Sequence, residues 1–393
     1  MIILSDLYMF EKPLGMRDTL PSVYRTIQKI KNIYNKEIEK WGYEFMATPA
    51  LEYEATIGKV SATVDHHLFR LLDKEGRTVV LRPDMTAPIA RVAASSLKKQ
   101  PLPLRLAYTS TLFRTQQFEG GRPAEFEQAG VELIGDATAH ADAEVIALMI
   151  RLLKMSGLKD VKIVIGHTGY VNALLSDIID SPDDESALRW FLYKKNDVGF
   201  REHVQSLKIT QENKRRLLTF IDSRRDSNQN TLEKIKELLP NSYGLTIYQH
   251  ISQLYHLLKH YGVSECIDLD LTLISHLDYY TGVVFEGYGG SKGFAISSGG
   301  RYDELLGKFN RPLPATGFGL RLDRLIETLD LVQDDHQNNK TVVIYSDANQ
   351  EQALKYAQDM REQGHPVVLQ AEQGLKDSER FLNHFNSVID FTS

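Results

Sequence analysis

The chain has 393 residues, of which 42% are hydrophobic and 25% charged, so it resembles an ordinary globular protein long enough for two or three domains. Its formal charge of -6 argues against the basic footprint that nucleic-acid binding leaves. A single cysteine, Cys266, excludes an intrachain disulfide, and no signal peptide or membrane-spanning apolar run is recognisable. The composition predicts a soluble, cytoplasmic protein.

The first part of the chain alternates between helical and extended patterns. After Pro21, apolar residues recur at helical spacing in "SVYRTIQKIKNIYNKEIEKWGY", which predicts an amphipathic helix that Gly42 ends. A hairpin is predicted at "LFRLLDKEGRTVVLR" and a second strand pair at "LRLAYTSTLFRTQQ" and "AEFEQAGVELIG". A helix and a strand follow at "ATAHADAEVIALMIRLLKMSGL" and "VKIVIG". These elements predict an α+β domain built on an antiparallel sheet.

The pattern changes near residue 170, where glycine becomes rare and charged residues and helical periods become frequent. Strand patterns return near residue 263, and the polar run "QDDHQNNK" indicates a linker before a strand, helix, strand, helix, strand series. The sequence therefore predicts an α+β domain in two parts, 1–169 and 263–331, with a helical insertion at 170–262, a linker at 332–340 and a small α/β unit at 341–393.

Four clusters of polar and aromatic residues stand out in the strand-rich regions. They are Asp84 and Thr86 in "LRPDMT"; Arg114, Gln128 and Glu132 in "FRTQQ" and "EFEQAGVE"; Tyr279 and Tyr280 in "LDYYTG"; and Arg301, Tyr302 and Asp303 in "SSGGRYDEL". The even spacing of Gln128 and Glu132 places both on one face of a strand. Carboxylates, an amide, phenols and a guanidinium together suit a zwitterionic amino acid as ligand.

Each cluster also has a purely structural interpretation. Asp84 can cap a helix, and tyrosines such as Tyr280 are often core aromatics. His256 and His260 are four residues apart, but no carboxylate completes an H-E-x-x-H pattern, so no metal site is predicted. Neither a Walker pattern nor a dinucleotide fingerprint is present, so no cofactor is predicted.

The order of these motifs resembles the catalytic domain of class II histidyl-tRNA synthetases, over residues 10–330. Motif 1 lies around Pro49, motif 2 around Arg114 and motif 3 around Arg324, and "LDYYTG" and "SGGRYDEL" look like the two histidine signatures. The resemblance implies a six- or seven-stranded antiparallel sheet flanked by helices, and a dimer formed through motif 1.

The resemblance also implies a histidine pocket. Asp84 and Thr86 would take the ammonium with Gln128 beside them, and Glu132, Tyr280 and Tyr302 would contact the imidazole. Tyr279 belongs to the same signature, and Arg114 would approach the ligand carboxylate.

Several positions depart from the synthetase pattern. Ser275 and His276 stand where the synthetases have an Arg-Gly dipeptide, and Gln116 stands where motif 2 has Glu. Asp84 occupies a position that is usually Glu, and the unit from 341 resembles a truncated anticodon-binding domain. Ser275 is therefore interpreted as a lost catalytic position, and Arg122 and Arg324 as remnants of a nucleotide site.

This combination is similar to the family of synthetase paralogues that serve as regulatory subunits of ATP phosphoribosyltransferase. That similarity implies a non-catalytic chain that assembles with the short form of the catalytic subunit, is required for its activity in the first step of histidine biosynthesis, and takes part in feedback inhibition by histidine. It also implies that tRNA is not a partner. Two alternatives remain, an active histidyl-tRNA synthetase and a stand-alone amino-acid sensor.

Overall fold

The structure is a computed structural model that describes residues 10–58, 60–61, 68–115, 123–275, 279–329 and 340–393. The chain forms two compact units, Met1–Asp330 and Leu331–Ser393. In the described part of the chain, no helix combines the length and the apolar character needed to cross a membrane.

The main sheet of the first unit has eight strands among the described residues. In spatial order they are β1 (Glu44–Phe45), β5 (Leu104–Phe113), β6 (Glu125–Ile134), β11 (Ala315–Arg321), β10 (Ser297–Arg301), β9 (Val283–Tyr288), β7 (Lys162–His167) and β8 (Ile267–Leu269). The strands from β5 to β7 pair antiparallel, whereas β1 and β8 pair parallel at the two edges. The prediction of an antiparallel sheet with six or seven strands therefore omitted the parallel strands at its two edges.

The parallel edge at β8 explains why a helical segment interrupts the sheet. Parallel neighbours need a long crossover connection, and the chain between β7 and β8 supplies one. Its helices are α4 (Thr168–Ile178), α5 (Pro182–Tyr193), α6 (Asp197–Ser206), α7 (Gln211–Asp222), α8 (Asn228–Leu238) and α9 (Ser242–His260). At the start of each of these helices, the side chain of the N-cap residue accepts a hydrogen bond from a backbone N–H of the first turn. These N-cap residues are His167, Ser181, Asn196, Thr210, Ser227 and Asn241.

The remaining helices of the first unit pack on the sheet. They are α1 (Pro21–Lys40), α2 (Thr86–Ala94), α3 (Ala139–Met155) and α10 (Leu322–Leu329). Along α1 the apolar side chains of Ile30, Tyr34 and Ile38 are buried, as the amphipathic pattern predicts. A small antiparallel sheet in the order β2 (Leu51–Tyr53), β4 (Thr78–Leu81), β3 (Arg70–Leu72) contains the predicted hairpin.

The second unit is a three-stranded parallel sheet in the order β13, β12, β14 with two helices. Its elements are β12 (Thr341–Tyr345), α11 (Gln350–Glu362), β13 (Val367–Ala371), α12 (Ser378–Leu382) and β14 (Ser387–Phe391). Val343, Ala353, Ala357 and Val367 form its buried core. The predicted series of strand, helix, strand, helix and short strand is confirmed.

Candidate functional site

A cleft of about 540 Å³ lies over β6, β9, β10 and β11. The side chains predicted to bind an amino acid all line it, together with two positions assigned to the lost reaction: Asp84, Thr86, Arg114, Gln128, Glu132, Tyr279, Tyr280, Tyr302, Ser275 and Arg324. Arg122, Gln116 and His276 lie outside the described residues. The sequence motifs, far apart along the chain, therefore meet at one concave surface.

The polar end of the cleft is lined by Asp84, Thr86, Gln128, Glu132 and three tyrosines. At its centre is Glu132 on β6, which is only 2% exposed. Thr86 donates a hydrogen bond to its Oε1 at 2.8 Å, and the hydroxyl of Tyr302 donates to its Oε2. Burial raises the pKa of Glu132 to about 8, although these two hydrogen bonds act in the opposite direction. The shift favours the protonated form of the carboxyl, and a ligand that favours the carboxylate would release the proton.

Two glycines of "TGFGLR" make room for these side chains on the sheet. Gly317 on β11 pairs directly with Glu132, and a Cβ at Gly317 would lie 1.9 Å from Glu132 Oε2. A Cβ at Gly319 would lie 2.4 Å from Gln128 Nε2. Glycine is therefore required on β11 because the floor of the cleft is filled by side chains of the neighbouring strand.

Asp84 and Thr86 reach the cleft from the start of α2. Asp84 is buried, and one of its oxygens accepts the N–H of Ala87 at 3.0 Å while the other accepts the hydroxyl of Ser61. Its structural interpretation as a helix cap is therefore correct, and it lines the cleft as well. Gln128 is positioned by Tyr108, whose hydroxyl donates to Gln128 Oε1 at 2.9 Å.

Three tyrosine rings form the aromatic side of this end. The ring centroid of Tyr279 lies 4.8 Å from that of Tyr280 and 5.7 Å from that of Tyr302, both in edge-to-face geometry. Burial raises the pKa of each phenol above its ordinary value, so all three remain neutral hydrogen-bonding groups. They are core aromatics and cleft residues at once.

A basic end of the cleft is formed by Arg114, Arg321 and Arg324, and Arg114 also borders the polar end, since it contacts Pro83 beside Asp84. Arg114 donates from Nε to the carbonyl of Pro83 at 2.9 Å, and Arg324 donates to the carbonyl of Ala295 at 2.5 Å. Arg321 pairs with Asp323 through contacts of 3.1 and 2.6 Å. These guanidinium groups are thus engaged with oxygens of the protein itself.

Phe126 lies between two of these guanidinium groups. The guanidinium carbon of Arg321 is 3.9 Å from its ring centroid, and that of Arg114 is 5.6 Å away. A planar base that stacked on Phe126 would compete with both contacts. Arg321 was not among the residues predicted from the sequence, although its alternation with Gly317 and Gly319 along β11 places all three on one face of the strand.

The cluster "SSGGRYDEL" divides between two roles. Tyr302 faces Glu132, whereas Arg301 is buried in an ion pair with Asp142 at 3.0 Å and does not serve the cleft. Burial opposes ionisation of Asp142, but the hydrogen bond from His250 and the charge of Arg301 hold its pKa below the usual range. Arg301 is therefore structural, and Gly282 makes room for it, since a Cβ at Gly282 would lie 3.1 Å from Arg301 Cδ.

No cluster of three or more His, Cys, Asp or Glu side chains suited to a metal ion occurs within the described ranges. The helical segment contributes two further cleft residues, Tyr193 and Lys194. Nothing in the sequence links them to the motifs, since their proximity arises only from the crossover between β7 and β8.

Comparison with known proteins places this geometry in a family. A family model described as "Histidyl-tRNA synthetase" matches residues 15–325, and one described as "Histidyl-tRNA synthetase HisZ, C-terminal domain" matches residues 342–393. A protein of Halalkalibacterium halodurans is 50% identical over 388 residues, covering 98% of this chain and 97% of that protein. A protein of Bacillus subtilis is 48% identical over 385 residues, with the same coverage of 98% and 97%. Both are named "ATP phosphoribosyltransferase regulatory subunit".

The chain belongs to this family of regulatory subunits. A crystal structure described as an ATP phosphoribosyltransferase regulatory subunit/histidyl-tRNA synthetase from Bacillus halodurans has a TM-score of 0.93 and 49% identity, covering 98% of this chain and 99% of that one. The histidyl-tRNA synthetase of Nostoc, at 21% identity, has a TM-score of 0.80 over 95% of this chain and 88% of its own, and this likeness concerns the fold alone. The predicted synthetase-like fold and the membership in a regulatory rather than catalytic family are confirmed.

Proposed function

We propose that this chain is the regulatory subunit of an ATP phosphoribosyltransferase. In this proposal it assembles with the short-form catalytic subunit, is needed for the activity of that subunit in the first step of histidine biosynthesis, and binds histidine as a feedback inhibitor. The relatives that are about half identical over nearly the whole chain support the regulatory role. The composition, with its net charge of -6, supports the absence of tRNA from its partners.

The observation that carries the histidine site is the environment of Glu132. A buried carboxyl that two hydroxyl groups orient, beside three tyrosine rings, suits a flat ring with an N–H donor, such as imidazole. Asp84 and Gln128 add acceptors for an ammonium at the same end. Imidazole and ammonium groups would then be recognised within one cleft.

Feedback follows from linkage between the ligand and the assembly. If histidine binds the inhibited arrangement of the complex more tightly than the active one, it shifts the population toward inhibition. A coupling free energy of about 1–3 kcal/mol would produce a useful response. The regulatory subunit needs no catalytic group for this purpose, only a difference in affinity between two arrangements.

A histidyl-tRNA synthetase is the second candidate, because the synthetase family model covers residues 15–325. Two features count against it. Ser275 replaces a guanidinium at the reacting carboxylate, and removing a preorganised charge typically costs about 3 kcal/mol or more in the transition state. Arg321 also covers the ring of Phe126, on which a nucleobase could otherwise stack.

Reconstitution separates the two candidates. The chain is mixed with a short phosphoribosyltransferase, ATP and 5-phosphoribosyl diphosphate, and formation of N-(5-phosphoribosyl)-ATP is followed. We expect product only when both chains are present, and less product when histidine is added. A parallel reaction with tRNA, ATP and histidine measures charging, and robust formation of histidyl-tRNA would contradict the proposal.

We also propose a dimer through the region around Pro49. Leu51 and Tyr53 on the neighbouring strand β2 are 47% and 44% exposed, and Leu71 and Leu72 on β3 of the same small sheet are 45% and 72% exposed, so this sheet presents apolar surface that supports a contact. Light scattering of the chain alone tests the dimer. A monomer at micromolar concentration would contradict it.

A further inference from the structure

The helical segment contributes a wall to the cleft that has no assigned role. Tyr193 is the last residue of α5, and Lys194 follows it; both line the same cleft as Glu132. The cleft is therefore bounded by the sheet on one side and by a turn of the helical segment on the other.

The turn between α5 and α6 is fixed to the sheet. Lys195 donates from Nζ to the hydroxyl of Tyr288 at 3.1 Å and lies 3.6 Å from Glu286 Oε2, and both partners are on β9. Its φ of +52° ends helix α5 in the left-handed region, and the N–H groups of Lys195 and Asn196 donate to the carbonyls of Leu192 and Phe191. The side chain of Asn196 accepts the N–H of Gly199 at 2.9 Å and begins α6. The position of Lys194 is thus set by its neighbours on both sides.

Lys194 differs from the other cations of the cleft. Arg114, Arg321 and Arg324 each donate to an oxygen of the protein. Within the described residues, the ammonium of Lys194 forms no ion pair. Its Nζ lies 5.3 Å from the ring centroid of Tyr193. Because Lys194 is exposed and lines the cleft, its ammonium can meet an anionic group of a bound ligand.

A structural role alone would account for part of this arrangement. Lys194 is the C-cap residue of α5, where a positive charge interacts favourably with the helix dipole. The interaction with the helix dipole does not require the contacts between the turn and β9. One of these contacts is with Glu286, which itself lines the cleft. The fastening points to a function of the turn at the cleft.

We propose that Lys194 binds the carboxylate of the amino acid that occupies the cleft. This inference rests on the proposed histidine site, whose polar end takes the imidazole and the ammonium. The carboxylate would then contact the helical segment, so the bound ligand bridges that segment and the main sheet. Occupancy of the cleft is in this way coupled to the position of helices α5 and α6.

The test compares histidine with histidinol, which has the same imidazole and ammonium but a hydroxymethyl group in place of the carboxylate. Calorimetry is carried out on the full chain with Lys194→Met, Lys194→Arg and, as the matched control, Lys208→Met, an exposed lysine of the same helical segment. We expect Lys194→Met to weaken histidine about tenfold or more and to leave histidinol unchanged. Lys194→Arg should restore most of the affinity, and Lys208→Met should change neither ligand.

The outcomes separate this inference from the proposal on which it rests. Equal losses for histidine and histidinol, or wild-type affinity for histidine in Lys194→Met, would overturn the role of Lys194 while leaving the histidine site intact. A wild-type chain that binds neither ligand would overturn both.

Discussion

The two ends of the cleft use polar groups in different ways. At the polar end, Thr86 and Tyr302 direct their hydroxyl groups at Glu132, a buried carboxyl whose pKa burial raises. At the basic end, Arg321 is paired with Asp323 and packs on Phe126. One end is organised around a single carboxyl group, whereas the other consists of guanidinium groups that donate to carbonyl and carboxylate oxygens of the protein.

This difference shows what a synthetase-like scaffold retains when it serves as a regulatory subunit. Recognition of an amino acid needs oriented acceptors and a shaped aromatic surface, and these are present. Activation of a carboxylate needs cations that are free to meet developing negative charge, and the cations of the basic end contact the protein instead.

The largest effect is expected from Gly317→Ala, which fills the polar end. The new Cβ would lie 1.9 Å from Glu132 Oε2 and 2.4 Å from the carbonyl oxygen of Val131, and the latter belongs to the backbone and cannot rotate away. We expect the free energy of unfolding to fall by about 3 kcal/mol, measured by urea denaturation, and histidine binding to be lost.

Two glycines serve as controls for this substitution. Gly319→Ala meets the far end of the Gln128 side chain, which can move, so a loss of about 1 kcal/mol is expected. Gly307→Ala has no atom within 4 Å of its new Cβ and should be neutral within about 0.5 kcal/mol. Equal stability of all three variants would show that the floor of the cleft is not closely packed.

The next effect concerns the charge of Glu132. Because burial raises its pKa from an ordinary value of 4.5 to about 8, the folded chain binds one more proton than the unfolded chain between these pH values. Stability should therefore decrease as the pH rises from 4.5 to 8, by on the order of 5 kcal/mol for this group. Glu132→Gln should remove this part of the pH dependence in urea denaturation, whereas Glu125→Gln, an exposed change on the same strand, should not.

The same group should make histidine binding release a proton. At pH 7 the imidazole N–H would favour the carboxylate form of Glu132, so calorimetric enthalpies in buffers of different ionisation enthalpy should differ. In Glu132→Gln this difference should vanish, and the affinity should fall about tenfold because the amide is a weaker acceptor. Identical buffer dependence in both proteins would place the histidine site elsewhere.

Local patterns were sufficient to predict much of the fold. The helix from Pro21, the hairpin of β3 and β4 and the series of elements after residue 341 follow from periodicity and turn residues, which act over short distances. The parallel edge strands could not be predicted, because β1 and β8 are only two and three residues long and their pairing depends on distant crossovers.

The candidate site divides in a similar manner. Glu132 and Tyr302 could be assigned to one pocket because the resemblance to a family supplied contacts that the sequence does not express. The position of Lys194 in the cleft could not be predicted, because it depends on how the helical crossover between β7 and β8 packs against the sheet. Arg301 belonged to a cluster of candidate ligand residues in the sequence, but it ends β10 with its guanidinium beside Asp142, a partner 159 residues away along the chain.

The smallest effect on histidine is expected at the basic end, in Arg321→Ala. Removing the guanidinium opens one face of the Phe126 ring, and stacking of a base on such a face contributes about 1–3 kcal/mol. Titration with ATP should therefore show about tenfold tighter binding in the variant than in the wild type, while histidine affinity should change by less than about twofold. Asp323→Asn, which loosens Arg321 without removing it, should fall between the two. Equal ATP affinity in the wild type and in Arg321→Ala would show that the guanidinium does not prevent a base from stacking on Phe126. The contrast between the two ends of the cleft would then rest on Ser275 alone.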